Sequence, residues 1–302
     1  YTGKTPFAAV NLIMPFLMIL GGVGFMFGTG GGALIAKTMG EGKAEKADKL
    51  FSMTVFASIL CGLVLTAVGL LFLRPFARLM GAEGELLENS LLYGTINLIA
   101  LPFYILQYEF QCLFATAEKP KLGLYVTVAS GVANMVLDWL FIAVLGWGIA
   151  GAAAATSIGC AVGGFLPLIY FARKNSSRLQ FVRPKLHWRM LGHSAVNGSS
   201  EMVSNASRAL TTFLFNIQLM RLVGEDGVSA ITVMQYVNFV FIAVMIGFSV
   251  GVAPVVGFHY GAKNTDELKG LFRRCMTFIV ASCVGMFVLS EAVAYPLINI
   301  FT

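Results

Sequence analysis

Residues 28–51 read GTGGGALIAKTMGEGKAEKADKLF, and residues 249–272, 221 positions later, read SVGVAPVVGFHYGAKNTDELKGLF. Without a gap, Gly30 falls on Gly251, Ala33 on Pro254, Gly40 on Gly261, and Leu50-Phe51 on Leu271-Phe272. Each copy leaves a glycine-bearing apolar run and enters a polar turn that carries lysine. A segment that recurs in this way points to an internally duplicated architecture, and its meaning depends on what separates the copies.

What separates them is apolar. Of 302 residues, 57% are hydrophobic and 12% charged, with mean hydropathy +0.79, whereas soluble domains carry roughly 25% charged residues. A bilayer core takes about 20 apolar residues per helix. Eight stretches reach that length, at 7–36, 50–73, 86–116, 122–145, 149–172, 190–220, 228–260 and 271–299. The repeat therefore joins the first and seventh of eight predicted spans. Six spans lie from one copy to the next, an even number, so both copies run in the same direction. The halves are then parallel six-helix repeats about an axis along the membrane normal.

Charge gives an independent orientation. The segments 37–49, 119–121, 173–189 and 263–274 hold 4, 2, 6 and 4 Lys or Arg, which is 16 of the chain's 21. They alternate with poorly basic segments, so the positive-inside rule places them in the cytoplasm. The net charge of +6 is spread over these turns and builds no continuous basic face for nucleic acid. The segment 173–189 reads as a cytoplasmic linker between residues 1–172, with five spans, and residues 190–302, with three. The start at Tyr1 reads as a cut end without a signal peptide.

Among the charged residues that fall within spans, Glu109, Asp138, Glu201 and Arg208 are read as clearly buried. Each costs about 2.5 to 3.5 kcal/mol at a helix centre on the insertion scale, so each is a functional candidate. Asn134 and Asp138 are four apart and share a face. A carboxylate beside an amide among apolar helices suits a proton or Na⁺, and equally a structural polar cluster between helices. Glu201, Asn205 and Arg208 stack on one face of the sixth span, as a second cation or substrate site or as an internal ion pair. Glu109, between Gln107 and Gln111 and beyond a kink expected at Pro102, suits a gate or a helix contact. The 14 Met and 25 Phe offer material for an adaptable cavity.

Other chemistries find no footing. Cys61, Cys112, Cys160, Cys275 and Cys283 are scattered without a C-x-x-C pair. His187, His193 and His259 are too far apart in the predicted topology for a metal site. Gly28 to Gly32 lacks the Gly-Lys-Ser/Thr ending of a phosphate loop. No nucleophile, base and orienting group occur together, so an enzyme is not expected, nor any cofactor beyond a coupling ion.

The stretches Lys37 to Lys43, Pro102-Phe103 with Gln107 and Phe110-Gln111, Ala117-Glu118-Lys119-Pro120 with Gly123, Asn134 with Asp138, and Gly148 to Ala153 resemble the multidrug and toxic compound extrusion (MATE) family, in its MepA-like bacterial branch. The resemblance implies an all-α bundle of twelve helices in two six-helix lobes, of which this chain supplies helices two to nine. It implies an N-lobe over 1–172 and part of a C-lobe over 190–302. It further implies export of small organic, often cationic, compounds against H⁺ or Na⁺ by a monomer in the bacterial plasma membrane. Asn134, Asp138 and Thr156 match the family's N-lobe coupling residues, and Glu201 its C-lobe cavity acid. An alternative within the superfamily is a lipid-linked oligosaccharide flippase, which needs several cavity cations for pyrophosphate, and only Arg208 is at hand.

Single cysteines replacing Lys43 or Arg178 in a cysteine-free background are expected to react with impermeant thiol reagents from the cytoplasmic side only. Labelling from the opposite side would reverse the assigned orientation.

Overall fold

Lipid offers no partner to backbone N–H and C=O groups, so the apolar stretches satisfy them internally as helices. The computed structural model describes residues 4–183, 188–222 and 225–301. In chain order the helices are α1 (Lys4–Gly40), α2 (Ala44–Leu79), α3 (Gly84–Ile99), α4 (Leu101–Thr116), α5 (Pro120–Asp138), α6 (Gly148–Ala172), α7 (Trp188–Leu222), α8 (Glu225–Gly261) and α9 (Thr265–Phe301). A π-helical segment, Trp139–Val144, continues α5. Among the described residues there is no strand. Residues 184–187 of the linker, His187 included, lie outside the described residues.

The expected kink is sharper than a bend. The stretch 86–116 is broken at Ala100 into α3 and α4, which meet at 56°. Pro102 opens α4, where its missing N–H costs no hydrogen bond. Among the described residues six helices are long and apolar enough to cross a membrane, and this bent pair, taken as one span, makes a seventh. All eight predicted stretches are thus helical, but the sixth, in α7, lacks a lipid-spanning composition. The polar residues of α7 explain that departure: Glu201, Asn205 and Arg208 line an internal cavity instead of facing lipid. Exposed apolar surface is broad on other helices, for example at Leu71 and Phe72 of α2, 76% and 59% exposed, and α7 also carries some, at Val196, Val203 and Leu210.

Helix α1 is the axle. Its glycines let three other helices come to backbone contact with it. A Cβ on Gly24 would strike the Ile105 carbonyl of α4, and one on Gly28 would stand 3.0 Å from Glu109 Cα. Gly30 and Gly198 make the α1–α7 crossing: a Cβ on either would collide with the other helix's backbone, at Ser194 and Met26. At the basic-turn end of α1, a Cβ on Gly40 would strike the Phe258 carbonyl of α8, and one on Gly261 would strike the Lys37 carbonyl of α1. Gly40 and Gly261 are equivalent repeat positions, and so are Lys37 and Phe258. The contact is therefore reciprocal, as a two-fold relation between parallel repeats requires.

The described part of the linker packs on the first lobe. Gln180 N–H donates to Asp48 Oδ1 at 2.9 Å and Val182 N–H to Ser52 Oγ at 2.9 Å. Ser177 Oγ donates to the Ala117 carbonyl at 3.2 Å. The Phe181 ring stacks on Phe51 with centroids 4.9 Å apart, and Phe51 meets Phe171 edge-on at 4.8 Å.

Valine at Gly40 or at Gly261 is expected to hold α1 and α8 apart and to destabilise this closed end by about 1–3 kcal/mol. The readout is thermal unfolding in detergent. Alanine at Gly251, which has open space around it, is expected to leave the transition unchanged.

Candidate functional site

Two polar clusters interrupt the apolar bundle. The larger is a cavity of about 640 Å³ between α1, α7, α8 and α9. Its lining residues on α1 and α8, such as Phe25, Thr29, Ser249 and Val250, precede Gly40 and Gly261. The cavity therefore lies on the far side of that glycine crossing from the basic turns. Most of its wall is apolar and deformable, with Phe241, Phe287, Met245 and Met286. Its charged groups, Glu201 and Arg208, both come from α7.

The geometry on α7 decides how those charges are used. Among the described residues no ion pair joins Glu201 to Arg208. Arg208 Nη2 instead donates to Asn205 Oδ1 at 2.5 Å, and Asn205 Nδ2 donates to the Glu201 backbone carbonyl at 2.9 Å. Asn205 thus tethers the guanidinium one turn away and leaves the Glu201 carboxyl to the cavity. This separation could not be read from the i, i+4, i+7 spacing, which serves an ion pair equally well.

The second cluster lies inside the first lobe. Asp138 ends α5 where the backbone passes into the π-helical segment, and π segments recur at functional sites because they redirect the side chains around them. The Tyr93 hydroxyl of α3 is hydrogen-bonded to Thr156 of α6 and lies within electrostatic reach of Asp138. A void of about 20 Å³ beside it is lined by Tyr93, Asn97, Tyr104, Thr156, Ser157 and Cys160, among others. That is room for about one water-sized occupant. Asn134 sits one turn before Asp138, at the α5–α6 contact: a Cβ on Gly159 would stand 2.9 Å from Asn134 Cβ.

Sequence reading missed the tyrosines. Tyr93 and Asn97 are four apart on α3 and both buried, a pairing visible in the sequence once polar residues without charge are counted. Tyr104 and Tyr108 form a further pair on α4, with hydroxyls 3.0 Å apart. The Tyr108 ring packs at 4.4 Å against Phe25, which lines the large cavity. Side chains therefore run in contact from the small void to the cavity wall.

Gln107 and Glu109 point to different seams. Gln107 Nε2 donates to Ser130 Oγ at 3.2 Å, and Ser130 Oγ donates to the Gly159 carbonyl at 2.7 Å, tying α4, α5 and α6 together. Glu109 is fully buried beside α1 and α2 and does not line the cavity.

Among known proteins, the MatE family model matches residues 1–140 and 202–302. The chain is similar to the multidrug export protein MepA of Staphylococcus haemolyticus (strain JCSC1435), 26% identical over 292 residues, which cover 91% of this chain and 63% of that protein. To MepA of Staphylococcus saprophyticus it is 24% identical over 302 residues, covering 98% of this chain and 65% of that protein. The chain thus spans just under two thirds of the length of these relatives. Among solved structures it superposes on an outward-facing multidrug resistance MATE transporter of the MOP superfamily with TM-score 0.93 at 22% identity, covering 100% of this chain and 67% of that one. A MOP superfamily transporter from Pyrococcus furiosus, reported with reversed binding-pocket polarity suggesting a different function, superposes with TM-score 0.92 at 22% identity, covering 100% and 67%. These likenesses establish the two-lobe MATE-type fold.

Tyr93→Phe and Thr156→Val are each expected to lower stability by about 1 kcal/mol through loss of their hydrogen bond. In thermal unfolding the double variant should cost no more than either single one. Additive losses would show that the two hydroxyls act separately.

Proposed function

The chain belongs to the MatE family, and from that premise we propose that it serves as a secondary active multidrug exporter of the bacterial plasma membrane. It would move organic, cationic compounds outward in exchange for H⁺ or Na⁺ by alternating access. The observation that carries this reading is the cavity of about 640 Å³, a drug-sized space. In it the Glu201 carboxyl stands among Phe and Met side chains that can repack around varied ligands.

The cavity lies beyond the Gly40–Gly261 crossing, so the described state is closed at the end with the basic turns and suits release to the outside. In the opposite state that crossing would part. The coupling ion would bind at Asp138, supported by Thr156 and Tyr93 and with Asn134 one turn away, and would favour one lobe arrangement over the other. One elementary charge moved through 100 mV supplies about 2.3 kcal/mol. For a monovalent cation exchanged one for one with H⁺ that contribution cancels, and the pH gradient supplies the drive.

The flippase reading is not supported. A pyrophosphate cargo calls for several cations, and among the described residues the cavity offers Arg208 alone, already held by Asn205.

The test is ethidium efflux by the full-length protein in proteoliposomes, under an imposed pH gradient and separately an Na⁺ gradient. Wild type is expected to follow one of the two. Asp138→Asn and Glu201→Gln are each expected to slow it about tenfold or more, the scale of losing one charge-assisted contact. Normal efflux by Asp138→Asn would remove that residue from coupling, and no efflux under either gradient would sink the exporter reading.

A further inference from the structure

Neither the cavity nor the Asp138 cluster uses Glu109. Among the described residues it is the only carboxylate or cation that is fully buried, at 0% exposure. Both of its carboxyl oxygens lack a hydrogen-bond partner. Ser58 Oγ of α2 faces the carboxyl, is also buried at 0% and likewise makes no hydrogen bond of regular geometry. Two adjacent orphaned groups in a membrane interior are not a packing solution: an apolar side chain would fill the space without the desolvation cost.

The walls define what can occupy the place. Gly28 brings the α1 backbone to within contact of α4 at Glu109 and closes the seam on the cavity side. Phe25 and Thr29, on the same stretch of α1, form the other surface of that wall. Two carboxyl oxygens and one hydroxyl fall well short of the six or more oxygens taken by a hard divalent cation. The groups facing Glu109 also supply no counter-charge. α1 presents Gly28, α2 presents Ser58, and α4 itself adds Cys112 one turn on. Beyond Cys112 lies Glu201 of α7, a second carboxylate. α6 meets the other face of α4, where its ionisable residue is Cys160, near Tyr108. On α8, His259 lies in the last turn, far along the helix. An ionised Glu109 would have no cation, and the Ser58 hydroxyl as its one neighbouring donor.

We propose that Glu109, with Ser58, is a proton-binding site built into the α1–α2–α4 seam, separate from Asp138 and Glu201, which releases its proton only when α1 parts from α4. The glycine contact at Gly28 is the latch: while it is closed no water reaches the carboxyl, and when α1 moves water and the cavity reach it together. The site stands on burial and orphaned polar groups, so it does not depend on the exporter reading.

The experiment is infrared spectroscopy of the full-length protein reconstituted in lipid at neutral pH, reading the carbonyl stretch of protonated carboxylic acids. Wild type is expected to show such a band from a dry carboxyl. Glu109→Gln should lose it, Asp138→Asn and Glu201→Gln should keep it, and Ser58→Ala should shift it. If Glu109→Gln does not fold, Glu109→Asp, which keeps the acid, should move the band without abolishing it. Absence of the band in wild type, its survival in Glu109→Gln, or an unmoved band in Glu109→Asp overturns the proposal.

Discussion

The architecture depends on how closely α1 can approach its neighbours. In lipid there is no hydrophobic force between helices, so they associate through packing and through backbones brought close by small residues. Gly24, Gly28, Gly30 and Gly40 place four such contacts along one helix, against α4, α7 and α8. Two of them, at Gly30 and Gly40, bridge the lobes, and one of those is made by equivalent positions of the two repeats. Side chains at these sites would push the lobes apart, so the same residues that close one end of the molecule permit the cavity beyond it.

The second constraint is the cost of polarity in lipid, and it explains where the charges are. Every ionisable group carried into a span must find water, a partner or a proton. The fold supplies each in a different place. The Glu201 carboxyl has the open cavity, with Arg208 held off by Asn205. Asp138 has the Tyr93 hydroxyl within electrostatic reach and stands where α5 passes into the π-helical segment. Glu109 is fully buried with its carboxyl oxygens making no hydrogen bond of regular geometry. The three carboxyls thus stand in three different environments, although their side chains are alike.

Much of this was legible in the sequence, because composition, span length and charge alternation are one-dimensional quantities. The runs of about 20 apolar residues dictated helices, the Lys and Arg clusters gave orientation, and Gly30 over Gly251 with Gly40 over Gly261 revealed the duplication. Asp138 and Glu201 stood out because a charge in an apolar run is conspicuous, whereas Thr156 entered only through the family resemblance. α7 was read as an ordinary span because apolarity was judged by length, while its polar face has a cavity to look into. Tyr93, Asn97, Tyr104 and Tyr108 escaped notice because they carry no charge and only distant elements bring them together.

The sequence by itself determined that the chain is a duplicated helical membrane protein and which few residues are too polar for lipid, and its charge pattern supplies an expected orientation. Only the tertiary structure decided that Gly40 meets its own repeat partner, that Asn205 separates Arg208 from Glu201, and that Glu109 is sealed behind Gly28 while Glu201 faces a cavity. The reason is physical: the presence of a charge in a span is a property of the chain, but its solvation is a property of which helices happen to stand beside it.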